Sequence, residues 1–168
     1  QLATLEPEHL VAPLIKEIIK ETALPSDCID DVILGNAVGP GGNLARLAAL
    51  EADLPFSIPG VTIDRQCGSG LEAINMAARF VQSGAGEVYL AGGVESTSRA
   101  PWKMKKPNTL MAMPQFYSRA PFTPQRYGDP DMGIAAENVA KKYSISRQAQ
   151  DHYAYKSHQK AIQAMKSN

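Results

Sequence analysis

The stretch Val61-Thr62-Ile63-Asp64-Arg65-Gln66-Cys67-Gly68-Ser69-Gly70-Leu71-Glu72-Ala73-Ile74 decides the fold. Val61-Thr62-Ile63 is a short β-branched run entered from a Pro-bounded loop, Pro55 to Pro59, and it reads as a strand. From about Gly68 to Ser83 the apolar period becomes helical. Leu71, Ile74, Ala78 and Val81 share one face, and Gly84-Ala85-Gly86 closes the helix. Val88-Tyr89-Leu90-Ala91 follows as another strand. Short apolar strands alternating with an amphipathic helix indicate a largely parallel sheet with covered faces.

The alternation continues toward the N-terminus. Leu10, Val11, Leu14, Ile15, Ile18 and Ile19 form a two-residue-wide apolar stripe on a helix, with Pro7 near its entry and Pro25 beyond its exit. After the turn Pro25-Ser26-Asp27, the run Val32-Ile33-Leu34 is a buried strand ended by Gly35-Asn36. Gly39-Pro40-Gly41-Gly42 is a flexible turn, and Asn43 to Glu51, with Leu44, Leu47, Ala48 and Leu50, reads as a helix. The order is helix, strand, helix, strand, helix, strand: an α/β fold with a largely parallel sheet whose faces are covered. From about Ser96 to Asp131 the character changes, with six prolines, several Met and aromatic residues and no sustained period. Loops of this length in a compact domain serve as functional covers or oligomer contacts. Two helices follow, Gly133 to Tyr143 and Ser146 to Met165, with Ser146 as the N-cap.

Composition narrows the function. In 168 residues, 44% are hydrophobic and 17 Lys+Arg balance 17 Asp+Glu, which excludes general disorder. Zero net charge without a basic run offers no footprint for nucleic acid or an anionic membrane surface. Lys103, Lys105 and Lys106, the densest basic cluster, read as a solvated loop rather than an anion site. No stretch approaches the ~18 apolar residues that span a bilayer. Two cysteines make neither a disulfide framework nor a metal site, so reduced thiols and a cytoplasmic location are expected. The chain opens Gln1-Leu2-Ala3 with no initiator Met and no secretory signal, and is expected to be a fragment.

Cys67 is the candidate nucleophile. It lies between a strand and the helix opening at Gly68-Ser69-Gly70, where a helix N-terminus stabilises thiolates. Gly68 and Gly70 would let an acyl group approach the backbone, whose N–H groups could hold an oxyanion. The competing reading is a small buried Cys. Gly68 to Ala73 also fits G-x-G-x-x-A, a dinucleotide fingerprint. Arg65, Gln66 and Cys67 separate the strand from the first Gly, however, and no acidic residue ends the next strand at the expected distance. Cys67-Gly68-Ser69-Gly70 lacks the second Cys and the aromatic of the papain-type segment. His152 and His158 are six apart, the wrong spacing for a shared metal, and with His9 they read as surface or structural residues. Cys28 lies in a polar turn and reads as incidental. Met104, Met111, Met113 and Met132 could line an acyl or pantetheine groove or simply pack the loop.

Asp64 to Leu71 resembles the nucleophile segment of the thiolases, acetyl-CoA acyltransferases. Four further stretches are similar in the same order: Gly35-Asn36 with Asn43 and Arg46; Ala91 to Ser98; Met132-Gly133 with Ala136 to Ala140; and Ile145-Ser146-Arg147 with Gln150-Asp151 and Ser157-His158. The likeness covers essentially the whole chain. It implies a thiolase-like layered half-domain with a long loop-domain insertion. Residues 1–95 would form the N-terminal α/β core, lacking the family's first strand, and residues 96–168 the loop-domain excursion with its helices, with the C-terminal half absent.

The resemblance also implies chemistry. Cys67 would take an acyl group from a CoA thioester and pass it on, in Claisen condensation of two acetyl-CoA or in thiolysis of a 3-ketoacyl-CoA. CoA and acetyl-CoA would be substrates, with no permanently bound cofactor and no metal. Met132 would lie on the pantetheine path, beside Asp131 where some members carry His, and Gly68 and Gly70 would offer backbone contacts. Relatives of this kind form homodimers or homotetramers and bind neither nucleic acid nor membrane. The family's Gly-His-Pro, Cys-x-Gly-Gly and Asn-Glu-x-x-Ala segments do not occur in these 168 residues. The chain alone is therefore expected to neither form nor cleave C–C bonds, and to expose surface that associates. The alternatives are a non-catalytic acyl-CoA or lipid-binding protein of the same fold and, on the glycines alone, a dinucleotide-binding module.

Overall fold

The computed structural model describes residues 2–109 and 111–167, in two compact units, Gln1–Phe116 and Tyr117–Asn168. In the first unit the chain runs α1 (Pro7–Thr22), β1 (Asp31–Gly35), α2 (Leu44–Glu51), β2 (Gly60–Ile63), α3 (Ser69–Ser83) and β3 (Tyr89–Gly93). The three strands form a parallel sheet in the order β2-β1-β3, with Ile33 of β1 opposite both Val61 and Ala91. The expected alternation and parallel sheet are both present.

Strand β1 is buried from Val32 to Gly35 because it has a strand on each edge and helices on each face. Side chains alternate across a strand, so Val32 and Leu34 point one way and Ile33 the other. Val32 and Leu34 join Val11, Ala12 and Ile15 of α1 and Ala45, Ala48 and Ala49 of α2 in one apolar cluster, completed by Leu54 and Ile58. Gly35, on the Ile33 side, meets the start of α3: a Cβ there would lie 2.5 Å from the Gly70 nitrogen. The layers are thus α1 with α2, then the sheet, then α3. Local signals set the helix ends. Pro7 occupies the first turn of α1, the Asn43 side chain accepts from the Arg46 N–H at the head of α2, and Gly84, with φ of 69°, closes α3.

Two expectations need correction. The α3 stripe Leu71, Ile74 and Val81 is 65%, 53% and 47% exposed, and the side turned to the sheet carries Ser69 and Ala73. Close backbone approach at Gly35, Gly70 and Gly93 leaves room only for small residues at the head of that side, while further along α3 Phe80 packs beside Tyr89 of β3. The wide stripe of α1 divides likewise, with Val11 and Ile15 in the core and Leu14 and Ile18 exposed.

The aperiodic stretch after β3 contains β4 (Lys103–Lys105) and β5 (Gln115–Tyr117), paired as a two-stranded ribbon. Three residues flanked by prolines are too few to display alternation. In the second unit, a 3-10 turn (Gln125–Tyr127) leads to α4 (Met132–Lys142) and α5 (Arg147–Ser167), and Ser146 caps α5 by accepting from the Ala149 N–H at 3.2 Å. No helix among the described residues is long and apolar enough to cross a membrane.

Candidate functional site

Cys67 lies between the end of β2 and the Gly68 N-cap of α3, and it is exposed. The reading of a small buried Cys is excluded. The turn is held by bonds that converge on the residues flanking the thiol. Arg65 O accepts from the Gly68 N–H at 3.1 Å, and Gln66 O accepts from the Ser69 N–H at 3.0 Å. The Ser69 hydroxyl donates to Gln66 O at 2.6 Å and accepts from the Arg65 N–H at 2.8 Å. The Asp64 carboxylate accepts from the Gln66 N–H at 2.8 Å. Gln66 has φ of 50°, in the left-handed region that residues with a Cβ seldom enter. One turn into α3, the largely buried Glu72 carboxylate pairs with Arg65 Nη1 at 3.1 Å and Arg79 Nη1 at 3.3 Å.

The glycines beside Cys67 differ in their surroundings. A Cβ on Gly68 would meet little beyond Arg65 O at 3.5 Å, whereas Gly70 packs on the end of β3, and a Cβ on Gly93 would lie 3.1 Å from the Gly70 Cα. Gly35, Gly70 and Gly93 together draw the ends of β1 and β3 against the head of α3. Beside them Glu95 accepts from the backbone of Val38 at 3.2 Å, from Ala37 and from Asn36 Nδ2 at 3.1 Å, while Asn36 Nδ2 also reaches Val94 O at 2.8 Å. Asn43 and Arg46 brace the loop before β2: Asn43 Nδ2 donates to Gly60 O at 2.6 Å, and the guanidinium donates to Ile58 O and to Phe56 O. Asn36 and Glu95 therefore shape the C-terminal end of the sheet, where Cys67 also lies, whereas Asn43 and Arg46 brace the start of β2.

Met132 opens α4 in the other unit and is exposed, as are Met104, Met111 and Met113, so none of the four packs a core. Arg119 in that unit gathers the approach to α4, donating to Asp129 Oδ2 at 2.9 Å, to Asp129 O at 2.9 Å and to Asp131 Oδ1 at 3.1 Å. The Arg119 bond holds the Asp129 carboxyl below its usual range, and the same bond to Asp129 raises the guanidinium. His9, His152 and His158 are all exposed, and His9 lies 3.8 Å from Glu51. Cys28 is half-buried in a 3-10 turn. No group of three acidic, His or Cys side chains among the described residues could hold a metal. Cys67, Gly68 and Gly70 were singled out in the sequence, whereas the bonding roles of Ser69, Gln66, Glu95 and Arg119 were not. An N-terminal Ser in a Gly-rich helix start was the one available signal for Ser69.

The profile described as "Thiolase, N-terminal domain" matches residues 1–168. VraB of Staphylococcus epidermidis, named as a candidate acetyl-CoA C-acetyltransferase, is 60% identical over 98% of this chain and 44% of its own length. The crystal structure of the Bacillus anthracis acetyl-CoA acetyltransferase superposes with a TM-score of 0.88 at 34% identity, over 99% of this chain and 43% of that one. The Acat5 thiolase of Ascaris suum, solved in complex with coenzyme A, gives 0.87 at 32% identity over 99% and 45%. The chain thus spans less than half the length of these relatives. By sequence along its whole length and by the architecture around Cys67, the chain belongs to the thiolase family, in its N-terminal domain.

Proposed function

We propose that the protein is an acyltransferase that carries an acyl group on Cys67, taken from a CoA thioester. The observation that carries this reading is an exposed cysteine on a braced strand-to-helix turn in a chain of this family. The Cys67 sulfur attacks the thioester carbonyl carbon and the carbon–sulfur bond to CoA breaks. The thiol proton ends on the departing CoA, leaving S-acyl-Cys67 and free CoA. A second acyl-CoA, or CoA in the degradative direction, then takes the acyl group, which predicts ping-pong kinetics for the whole enzyme. The coenzyme A in the Ascaris suum relative supports CoA thioesters as substrates.

Several finer assignments rest on the family resemblance. Gly68 and Gly70 offer backbone to the acyl group, and Met132 lies on the pantetheine path. Residues 1–95 form the core that carries the nucleophile, and residues 96–168 the excursion. The whole enzyme is a homodimer or homotetramer of the cytoplasm, binding neither nucleic acid nor membrane.

The test is incubation with radiolabelled acetyl-CoA followed by peptide mapping and assay of released CoA. Acetyl on the Cys67 peptide with equimolar CoA, abolished in Cys67→Ala, is the expected outcome. Equal labelling of Cys28, or a folded protein that takes no acetyl, overturns the reading; retention of acetyl-CoA without transfer supports a carrier instead. Because the Gly-His-Pro and Cys-x-Gly-Gly segments do not occur in these 168 residues, acetoacetyl-CoA thiolysis by them alone is expected to be undetectable. Measurable thiolysis would contradict that expectation.

A further inference from the structure

We propose that Ser69 is a positioning residue for Cys67: its hydroxyl clamps Arg65 and Gln66 so that the turn presents the thiol outward. The proposal deepens the acyl-carrier reading and rests on it for its purpose. Ser69 is 4% exposed, and its hydroxyl both accepts, from the Arg65 N–H, and donates, to Gln66 O. Both bonds end on the two residues that lead into Cys67, and neither reaches the sheet. A helical Ser commonly turns its hydroxyl to solvent or to a carbonyl one turn back. Here it also satisfies a backbone donor upstream of the helix.

Gln66 makes this clamp necessary. At φ of 50° its backbone is in a region that a residue with a Cβ occupies only when its surroundings hold it there. Gln66 O receives both the Ser69 N–H and the Ser69 hydroxyl, so one residue supplies two restraints. Packing of α3 on the sheet has separate support, from Ala73 at 0% exposure and the contact of Gly70 with Gly93. Loss of the hydroxyl should therefore release the turn without detaching the helix, and leave the Arg65 N–H without its acceptor.

The experiment compares iodoacetamide alkylation of Cys67 with that of Cys28 in the same molecules, by peptide mapping, in the wild type, Ser69→Ala, Gln66→Gly and Ser69→Ala/Gln66→Gly. Alkylation by a free reagent follows how accessible the thiol is, so a released turn that lets Cys67 fold back is expected to lower the Cys67:Cys28 rate ratio by about tenfold in Ser69→Ala. Gln66→Gly alone stays within about threefold of wild type, because glycine holds the left-handed turn without the clamp. Glycine enters the left-handed region freely, so Ser69→Ala/Gln66→Gly regains most of the ratio. An unchanged ratio in Ser69→Ala, or an equal fall in Ser69→Ala/Gln66→Gly, overturns the proposal. Should Ser69→Ala fail to fold, the double variant against Gln66→Gly alone decides, and a tenfold fall there overturns the clamp through Gln66. Acetyl transfer measured in parallel separates the two claims: a wild type that takes no acetyl, yet loses alkylation in Ser69→Ala, defeats the acyl-carrier reading and leaves the clamp standing.

Discussion

At the scale of single residues, the close approach of backbone to backbone dominates. Gly35 has no room for a side chain, since a Cβ would lie 2.5 Å from the Gly70 nitrogen and against Ser69. Backbone cannot swing aside as a flexible side chain can, so Gly35→Ala is expected to destabilise by about 1–3 kcal/mol, read as a lower urea midpoint with unchanged slope. Gly68→Ala serves as the contrast. Its Cβ meets nothing nearer than 3.5 Å and φ is −91°, so the stability read from the midpoint should change by less than about 0.5 kcal/mol. Cys67 was legible in the sequence because a cysteine in a Gly-rich turn before a helix is chemically conspicuous. Ser69 and Arg119 were not, because their partners are defined only once the turn and the loop have their shape. Gln66 gave no signal at all, since a left-handed backbone at a residue with a Cβ is imposed by neighbours rather than announced by composition.

The elements carried the clearest sequence signals, and their limits are instructive. Runs such as Val32-Ile33-Leu34 and Val61-Thr62-Ile63 sit in strands, and Asn43, Ser146 and Gly84 mark helix ends. Periodicity did reveal an apolar face on α3, yet which face meets the sheet depended on glycines in β1 and β3, elements distant in the chain. The link before β3 yields a pH prediction. The Asp30 carboxylate accepts from the Val88 N–H at 2.9 Å and the Glu87 N–H at 2.6 Å, and these bonds hold its pKa below the usual value. A carboxyl depressed on folding adds stability above its unfolded pKa of ~3.9, and that stability is lost as pH falls through the lower folded value. Neighbouring Asp31 runs the other way, raised by burial, so its protonation relieves a cost. Asp30→Asn is therefore expected to lower stability near pH 7 and to flatten the acid limb below about pH 4, measured as urea midpoint against pH. An acid limb as steep as that of the wild type would assign the loss to other carboxylates.

Across the first unit, apolar surface lies open on α3, at Leu71, Ile74 and Val81, and on α1, at Leu14 and Ile18. A groove of about 320 Å³ between α1 and β3 is lined by Leu14, Ile18 and residues 89–93. Contiguous apolar patches of this kind favour association. Concentration-dependent light scattering with apolar-dye binding is the expected behaviour, reduced in Ile74→Lys, whose side chain makes no core contribution; a monodisperse monomer that binds no dye would contradict it. The position of β1 carries a different consequence, one of timing. It is the most completely buried strand, yet both its neighbours are made later: Asp31 waits for Tyr89. During synthesis at about 5–20 residues per second, the nascent strand stays unpaired on its β3 side for several seconds after leaving the ribosome. Val32-Ile33-Leu34 is therefore the natural hold for a chaperone during translation, and slowing elongation between α2 and β3 should lengthen its hold and lower the soluble yield.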